Sequence, residues 1–220
     1  MLFDATNNQE VNLNNMIDNM FREAYKTEMQ KWIAKALETW CPKDHPLHLD
    51  PLHPAMGLAG EAGKLIDLYK KELYKKGYSW WDCKNCGKGQ SEHYPSGRCK
   101  TFFECNRLYT PLVLDELGDL TYYLRILMYQ SQSIFLHRVD NNTPLIDTLA
   151  FLGHYSNNLL IDVIRTKQVS RNELEAVWFN VLRLCNHLET DLKTVLELNY
   201  AKLSAPGGNG WQKTLDEARK

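Results

Sequence analysis

The chain has 220 residues, 44% of them apolar or aromatic, enough for one sizeable core arranged as one domain with insertions or two small ones. Its 26 basic and 27 acidic side chains leave a net charge near zero, so there is no bulk electrostatic reason to bind nucleic acid or a membrane surface. No run approaches the roughly 18 apolar residues of a spanning helix, and the polar start MLFDATNNQEVNLNN does not read as a secretory signal. The expected compartment is therefore the cytoplasm, where six cysteines are more often free thiols or metal ligands than disulfides.

Between Met16 and Trp40 apolar residues recur mostly at three- and four-residue steps, which predicts an amphipathic helix with a charged, solvated outer face. The proline-rich CPKDHPLHLDPLHP then reads as a loop, because each proline removes a backbone donor and biases its predecessor away from helix. Cys41, His45, His48 and His53 cluster in it, and they read as part of a connection, not a metal site. Further helices are expected over about 55–76, 111–130, 145–167, 170–188 and 190–203, with APGGNG ending the last. Strand-like alternation is scarce outside 78–110, so the fold class is all-α, a helical bundle.

The second helix carries Gly57, Gly60 and Gly63 interleaved with Ala55, Ala59 and Ala62, although each glycine inside a helix costs about 1 kcal/mol against alanine. A small-residue face that lets another helix or a ligand approach closely would offset that cost; the alternative is a flexible turn before a helix that starts near Glu61. Two segments also echo one another. LIDLYK at 65–70 resembles LIDVIR at 160–165, and LTYYLRIL at 120–127 resembles WFNVLRLC at 178–185. Leu65 and Leu124 are 59 residues apart, whereas Leu160 and Leu182 are 22 apart, and the excess of 37 marks an insertion between the first pair of helices. The later hairpin, 145–188, then reads as a degenerate repeat in which Ser156, Leu159, Leu174 and Val177 stand for Glu61, Lys64, Glu116 and Asp119. Chance similarity between two amphipathic helices is the alternative.

Chemistry concentrates on acids. Glu116 and Asp119, three apart in LVLDELGDLTYYL, project from nearly one helix face. With Glu61 they form a set of hard oxygen ligands suited to magnesium, which keeps waters and bridges a few carboxylates to substrate phosphates. A solvated charged face is the ordinary alternative, weakened here because the pair sits among leucines, where unpaired charge is costly.

These segments, GLAGEAGKLIDLYKK at 57–71 and DELGDLTYYL at 115–124, with VLELNYAKL at 195–203 more weakly, resemble the all-α nucleoside triphosphate pyrophosphohydrolases of the MazG type. The resemblance implies an all-α domain over 1–220, Mg2+ held by Glu61, Glu116 and Asp119, and hydrolysis of a nucleoside triphosphate to the monophosphate and pyrophosphate. It further implies phosphate or substrate contacts from Lys64, Lys70, Lys71 and Lys202, and a polar substrate contact from Asn199. The family pattern is Glu-x-x-Glu on the first helix, and Lys64 replaces its second glutamate; SAPGGNGW replaces the family's basic-aromatic turn. Asp67, a candidate to replace the missing acid, lies about two-thirds of a turn from Glu61. Two other readings stand beside this one: a nucleotide-binding or regulatory protein that has lost catalysis through Lys64, and a zinc-dependent interaction module. The internal repeat suits either a monomer with pseudo-symmetry or a homo-oligomer.

The insertion at 77–110 carries Cys83, Cys86, Cys99 and Cys105, spaced C-x2-C, then twelve residues, then C-x5-C. CKNCGK resembles a zinc knuckle, so a structural Zn2+ is expected there, with His93 the alternative to either later cysteine. Four ordinary buried thiols are the other reading. A zinc-ordered insertion would display Trp80, Trp81, Lys100, Phe102 and Phe103 as a contact surface.

Overall fold

A computed structural model describes residues 5–41, 43, 45, 48–76, 110–135 and 143–205. Among these the chain is all α-helix: α1 (Ala5–Thr39), α2 (Leu52–Lys76), α3 (Thr110–Gln130), α4 (Leu145–Thr166), α5 (Arg171–His187) and α6 (Leu192–Ser204). No helix among them is long and apolar enough to cross a membrane. Cys83, Cys86, His93, Cys99 and Cys105, and the aromatic surface expected beside them, lie outside the described residues.

Two helix starts differ from the sequence expectation. α1 begins at Ala5, eleven residues before Met16, and 5–39 contains neither proline nor glycine to break it. α2 begins at Leu52, before Pro54 rather than after it. Pro54 falls in the first turn, where its missing N–H would have had no intrahelical partner. Asp50 Oδ1 accepts from the Leu52 N–H at 2.9 Å, and the Ala55 N–H reaches Pro51 O at 3.1 Å. Two later starts carry side-chain caps. Ser170 Oγ accepts from the Glu173 N–H, and Asp191 Oδ1 from the Thr194 N–H at 2.7 Å.

The buried positions of α4, from Leu145 and Leu149 through Leu152 and Ser156 to Leu159 and Val163, follow the three-four period throughout. α3 does the same with Val113, Leu117, Leu120, Leu124 and Leu127. These stripes meet in one main core that also holds Trp178 and Met29. Full burial of each such leucine contributes about 1.5–3 kcal/mol.

Contacts fix how the helices run. Gly57 meets Tyr123 while Lys64, seven residues on, meets Glu116, seven residues back, so α2 and α3 form an antiparallel pair. α4 and α5 form a second hairpin: His187, at the end of α5, reaches Thr143 O at 3.0 Å beside the start of α4. α2 lies against α4, where Ile66 fills the space left by Gly153. α6 runs antiparallel to α3, with Asn199 against Gly118 and Lys202 against Asp115, and α1 touches both, through Trp32 to Arg125 and Glu38 to Tyr200. In the second hairpin Ser156, Leu159, Leu174 and Val177 are all fully buried, so the positions matched to the acids carry core side chains.

Candidate metal centre

The antiparallel register of α2 and α3 brings Glu61 and Lys64, one turn apart on α2, opposite Glu116 and Asp119, one turn apart on α3. Carboxylate oxygens of Glu61, Glu116 and Asp119 all lie within 4.8 Å of one another, and among the described residues no other group of three acidic, histidine or cysteine ligands converges so closely. The approach depends on Gly57. A Cβ there would stand 2.5 Å from the Tyr123 ring, so only glycine lets α3 come this near. Gly60 and Gly63 are different, with nothing within 4 Å of where a Cβ would stand. The small-residue face is thus half helix contact and half open surface, and both glycines lie inside the helix and not in a turn.

Three carboxylates this close are electrostatically costly unless cations or protons intervene. Burial and the neighbouring Glu116 carboxyl push Glu61, only 9% exposed, up to about 7, against the opposing pull of Lys64. Burial likewise raises Asp119 despite its bonds to Lys202. Lys64 answers the charge from the same helix. Its Nζ donates to Glu61 Oε1 at 3.0 Å and stands 2.9 Å from Glu61 Oε2 and 3.4 Å from Glu116 Oε2. Its hydrogen bond with Glu61 raises the lysine above its ordinary value. Glu61 Oε2 and Glu116 Oε2 are both buried, and the Lys64 ammonium stands against each of them as an ion pair. Hard oxygen atoms facing one another in this way suit a divalent cation.

α6 supplies the other side. Lys202 Nζ bonds Asp119 Oδ2 at 2.8 Å, Asp119 Oδ1 at 3.0 Å and Asp115 Oδ1 at 2.7 Å. Burial opposes its charge, yet the two aspartates raise it above its ordinary value. Asn199, 3% exposed, donates from Nδ2 to Asp119 Oδ1 at 3.0 Å and accepts at Oδ1 from Arg125 Nη2 at 3.0 Å, so both ends of its amide are engaged inside the protein. Lys70 and Lys71 form ion pairs with Asp67, which is not one of the three clustered acids. In the loop before α2, His48 Nδ1 lies 3.1 Å from Cys41 O and the His53 ring stands edge-on to Trp40, contacts of a connection.

Sequence reasoning passed over Asp115, Gly118, Tyr123 and Arg125. Arg125 had a visible signal, a lone charge within the apolar run LTYYLRILMY. Comparisons with family models, with curated proteins and with solved structures return no match for this chain, so its site is read from geometry and chemistry alone.

Proposed function

We propose that the protein is a magnesium-dependent nucleoside triphosphate pyrophosphohydrolase of the MazG-like all-α kind, releasing a nucleoside monophosphate and pyrophosphate. The observation that carries this reading is the convergence of Glu61, Glu116 and Asp119 from two antiparallel helices, with Oε2 of both glutamates buried. These three residues would hold the cation. Magnesium, when bound, supplies charge neutralisation for a triphosphate and a more acidic bound water. The chain's own groups support the same substrate. Lys64 and Lys202 flank the acids with side chains 55% and 43% exposed, long enough to leave their carboxylate partners for phosphate oxygens. Glu61, whose carboxyl burial pushes up to about 7, gives up its proton when a cation takes its place. The open face at Gly60 and Gly63 lets a bulky anion lie close to the α2 backbone.

One observation favours a second reading. Lys64 already neutralises Glu61 and Glu116, and an ammonium cannot ligate magnesium, so the chain would bind nucleotide without hydrolysing it. Pyrophosphate release from a panel of ribo- and deoxyribonucleoside triphosphates with magnesium separates the two. Release that requires magnesium supports hydrolysis, calorimetric binding without release supports the second reading, and neither binding nor release overturns both.

A further inference from the structure

We propose that Arg125 is a positioning residue for the acid cluster: it fixes the orientation of the Asn199 carboxamide, which in turn fixes Asp119. The functional half of this inference rests on the metal reading above; the geometric half does not.

Arg125 is 1% exposed and lies on α3 six residues beyond Asp119. Its partners are all neutral oxygens. Nε donates to Thr121 O at 3.1 Å, Nη1 to Trp32 O at 3.1 Å and Nη2 to Asn199 Oδ1 at 3.0 Å. Burial lowers it to about 10, so it remains a cation at neutral pH. Tying α1, α3 and α6 together needs only donors, and a buried charge is an expensive way to supply them. The guanidinium differs from a neutral donor in one respect: it has five N–H groups and no acceptor. An amide or hydroxyl in its place would tolerate either face of Asn199. Arg125 accepts only the oxygen, and the Asn199 NH2 is thereby directed at Asp119 Oδ1. Without Arg125 the carboxamide keeps only its bond to Asp119, and its own buried oxygen loses its donor.

Gly118 gives independent support. A Cβ there would stand 3.0 Å from Asn199 Cβ and 3.3 Å from Asn199 Nδ2, so the residue just before Asp119 is the seat of Asn199. The two holders of Asp119 then differ in kind. Lys202 is partly exposed and able to leave; Asn199 is locked between Arg125 and Gly118. With Asn199 on Oδ1, Oδ2 is the oxygen left for a cation once Lys202 departs.

The test is a double-mutant cycle on the full chain, titrated calorimetrically with magnesium alone, with side-chain amide spectra recorded in parallel. Arg125→Met and Asn199→Ala should each weaken magnesium binding by about 10- to 100-fold, the usual range for a partner of a metal ligand. The double variant should bind magnesium no more weakly than either single. Arg125→Lys, which keeps a cationic donor, should recover part of the affinity. Gly118→Ala crowds Asn199 without removing the buried charge, and it should weaken magnesium binding even if Arg125→Met fails to fold. Wild-type affinity in Gly118→Ala or Arg125→Met, or losses that multiply in the double variant, overturn the relay. No magnesium heat from the unmodified chain overturns the metal reading; the Asn199 amide resonances then decide the relay, which falls if they are unchanged in Arg125→Met and stands if they shift.

Discussion

Replacing Lys64 asks whether the cluster is a cation site with a built-in competitor. Its Nζ lies 2.9 Å from Glu61 Oε2 and 3.4 Å from Glu116 Oε2, so an incoming magnesium ion must first break two ion pairs. At 4 Å and an effective dielectric near 20, a single charge pair is worth about 4 kcal/mol. The lysine side chain is more than half exposed, however, and solvent-screened pairs are worth about 0.5–1 kcal/mol each. Two such pairs set the competition at about 1–2 kcal/mol, or roughly a 5- to 30-fold penalty on magnesium affinity. Lys64→Met, which keeps the apolar stem, should tighten magnesium binding by that factor. Lys64→Glu should tighten it further by adding a fourth carboxylate, and should increase any slow pyrophosphate release. Calorimetric titration with magnesium, followed by a pyrophosphate assay on the same preparations, measures both. If Lys64→Met and Lys64→Glu instead lower nucleotide affinity and turnover together, the lysine is a substrate contact and the competition argument fails.

Glu116→Ala and Asp119→Ala should each abolish magnesium-dependent nucleotide binding with the circular dichroism helix signal kept; unfolding in both would mark a structural pair. With its folded-state value raised from 4.5 to about 7, Glu61 contributes stability that is full below about pH 4.5 and lost as pH rises through 7, at most about 3 kcal/mol. Metal-free protein should therefore lose melting temperature between pH 5 and pH 8, and Glu61→Gln should flatten that slope; an unaltered slope refutes the assignment. Gly57→Ala should cost about 1–3 kcal/mol by overpacking against Tyr123, whereas Gly60→Ala and Gly63→Ala should gain up to about 1 kcal/mol each while weakening nucleotide binding; denaturant melts and calorimetry measure both. Elemental analysis should find about one zinc per chain, lost in Cys83→Ser or Cys86→Ser; zinc-free protein whose melting ignores chelator excludes it.

Five of the six helices among the described residues stand close to where hydrophobic period and breakers place them, because each owes its stability to one buried stripe that the sequence spells out. α1 is the exception. Its first turns have no apolar stripe to read, and only the absence of breakers announces them. Glu61, Glu116 and Asp119 were legible for a local reason: acids three apart on a leucine-rich helix have few neutral explanations, and a glycine-rich helix suggests a close neighbour. Asn199 and Lys202 were legible as polar residues in a short helix but not in their roles, since those depend on partners about 80 residues away. Arg125 shows in the sequence as a lone charge in an apolar run, but its role does not. What makes a buried guanidinium tolerable is a backbone carbonyl of α1 and an amide oxygen of α6, and neither has any sequence pattern.

The two hairpins answer opposite demands, and that explains why α2 packs on both α3 and α4. A helix pair that turns Glu61, Glu116, Asp119 and Lys64 toward one another gives up apolar burial along that seam, and the raised value of Glu61 records the cost. The second hairpin has nothing charged at the matching positions: Ser156, Leu159, Leu174 and Val177 are fully enclosed, beside Trp178. Ile66, from the middle of α2, is received by Gly153 of this apolar pair. The acidic hairpin thus gains on its outer side the burial it lacks on its inner one. Removing a core leucine from the second hairpin, Leu159→Ala, costs about 2–5 kcal/mol by the usual cavity penalty. It should destabilise the acid cluster as strongly as a change in α3 itself, although it brings no charge.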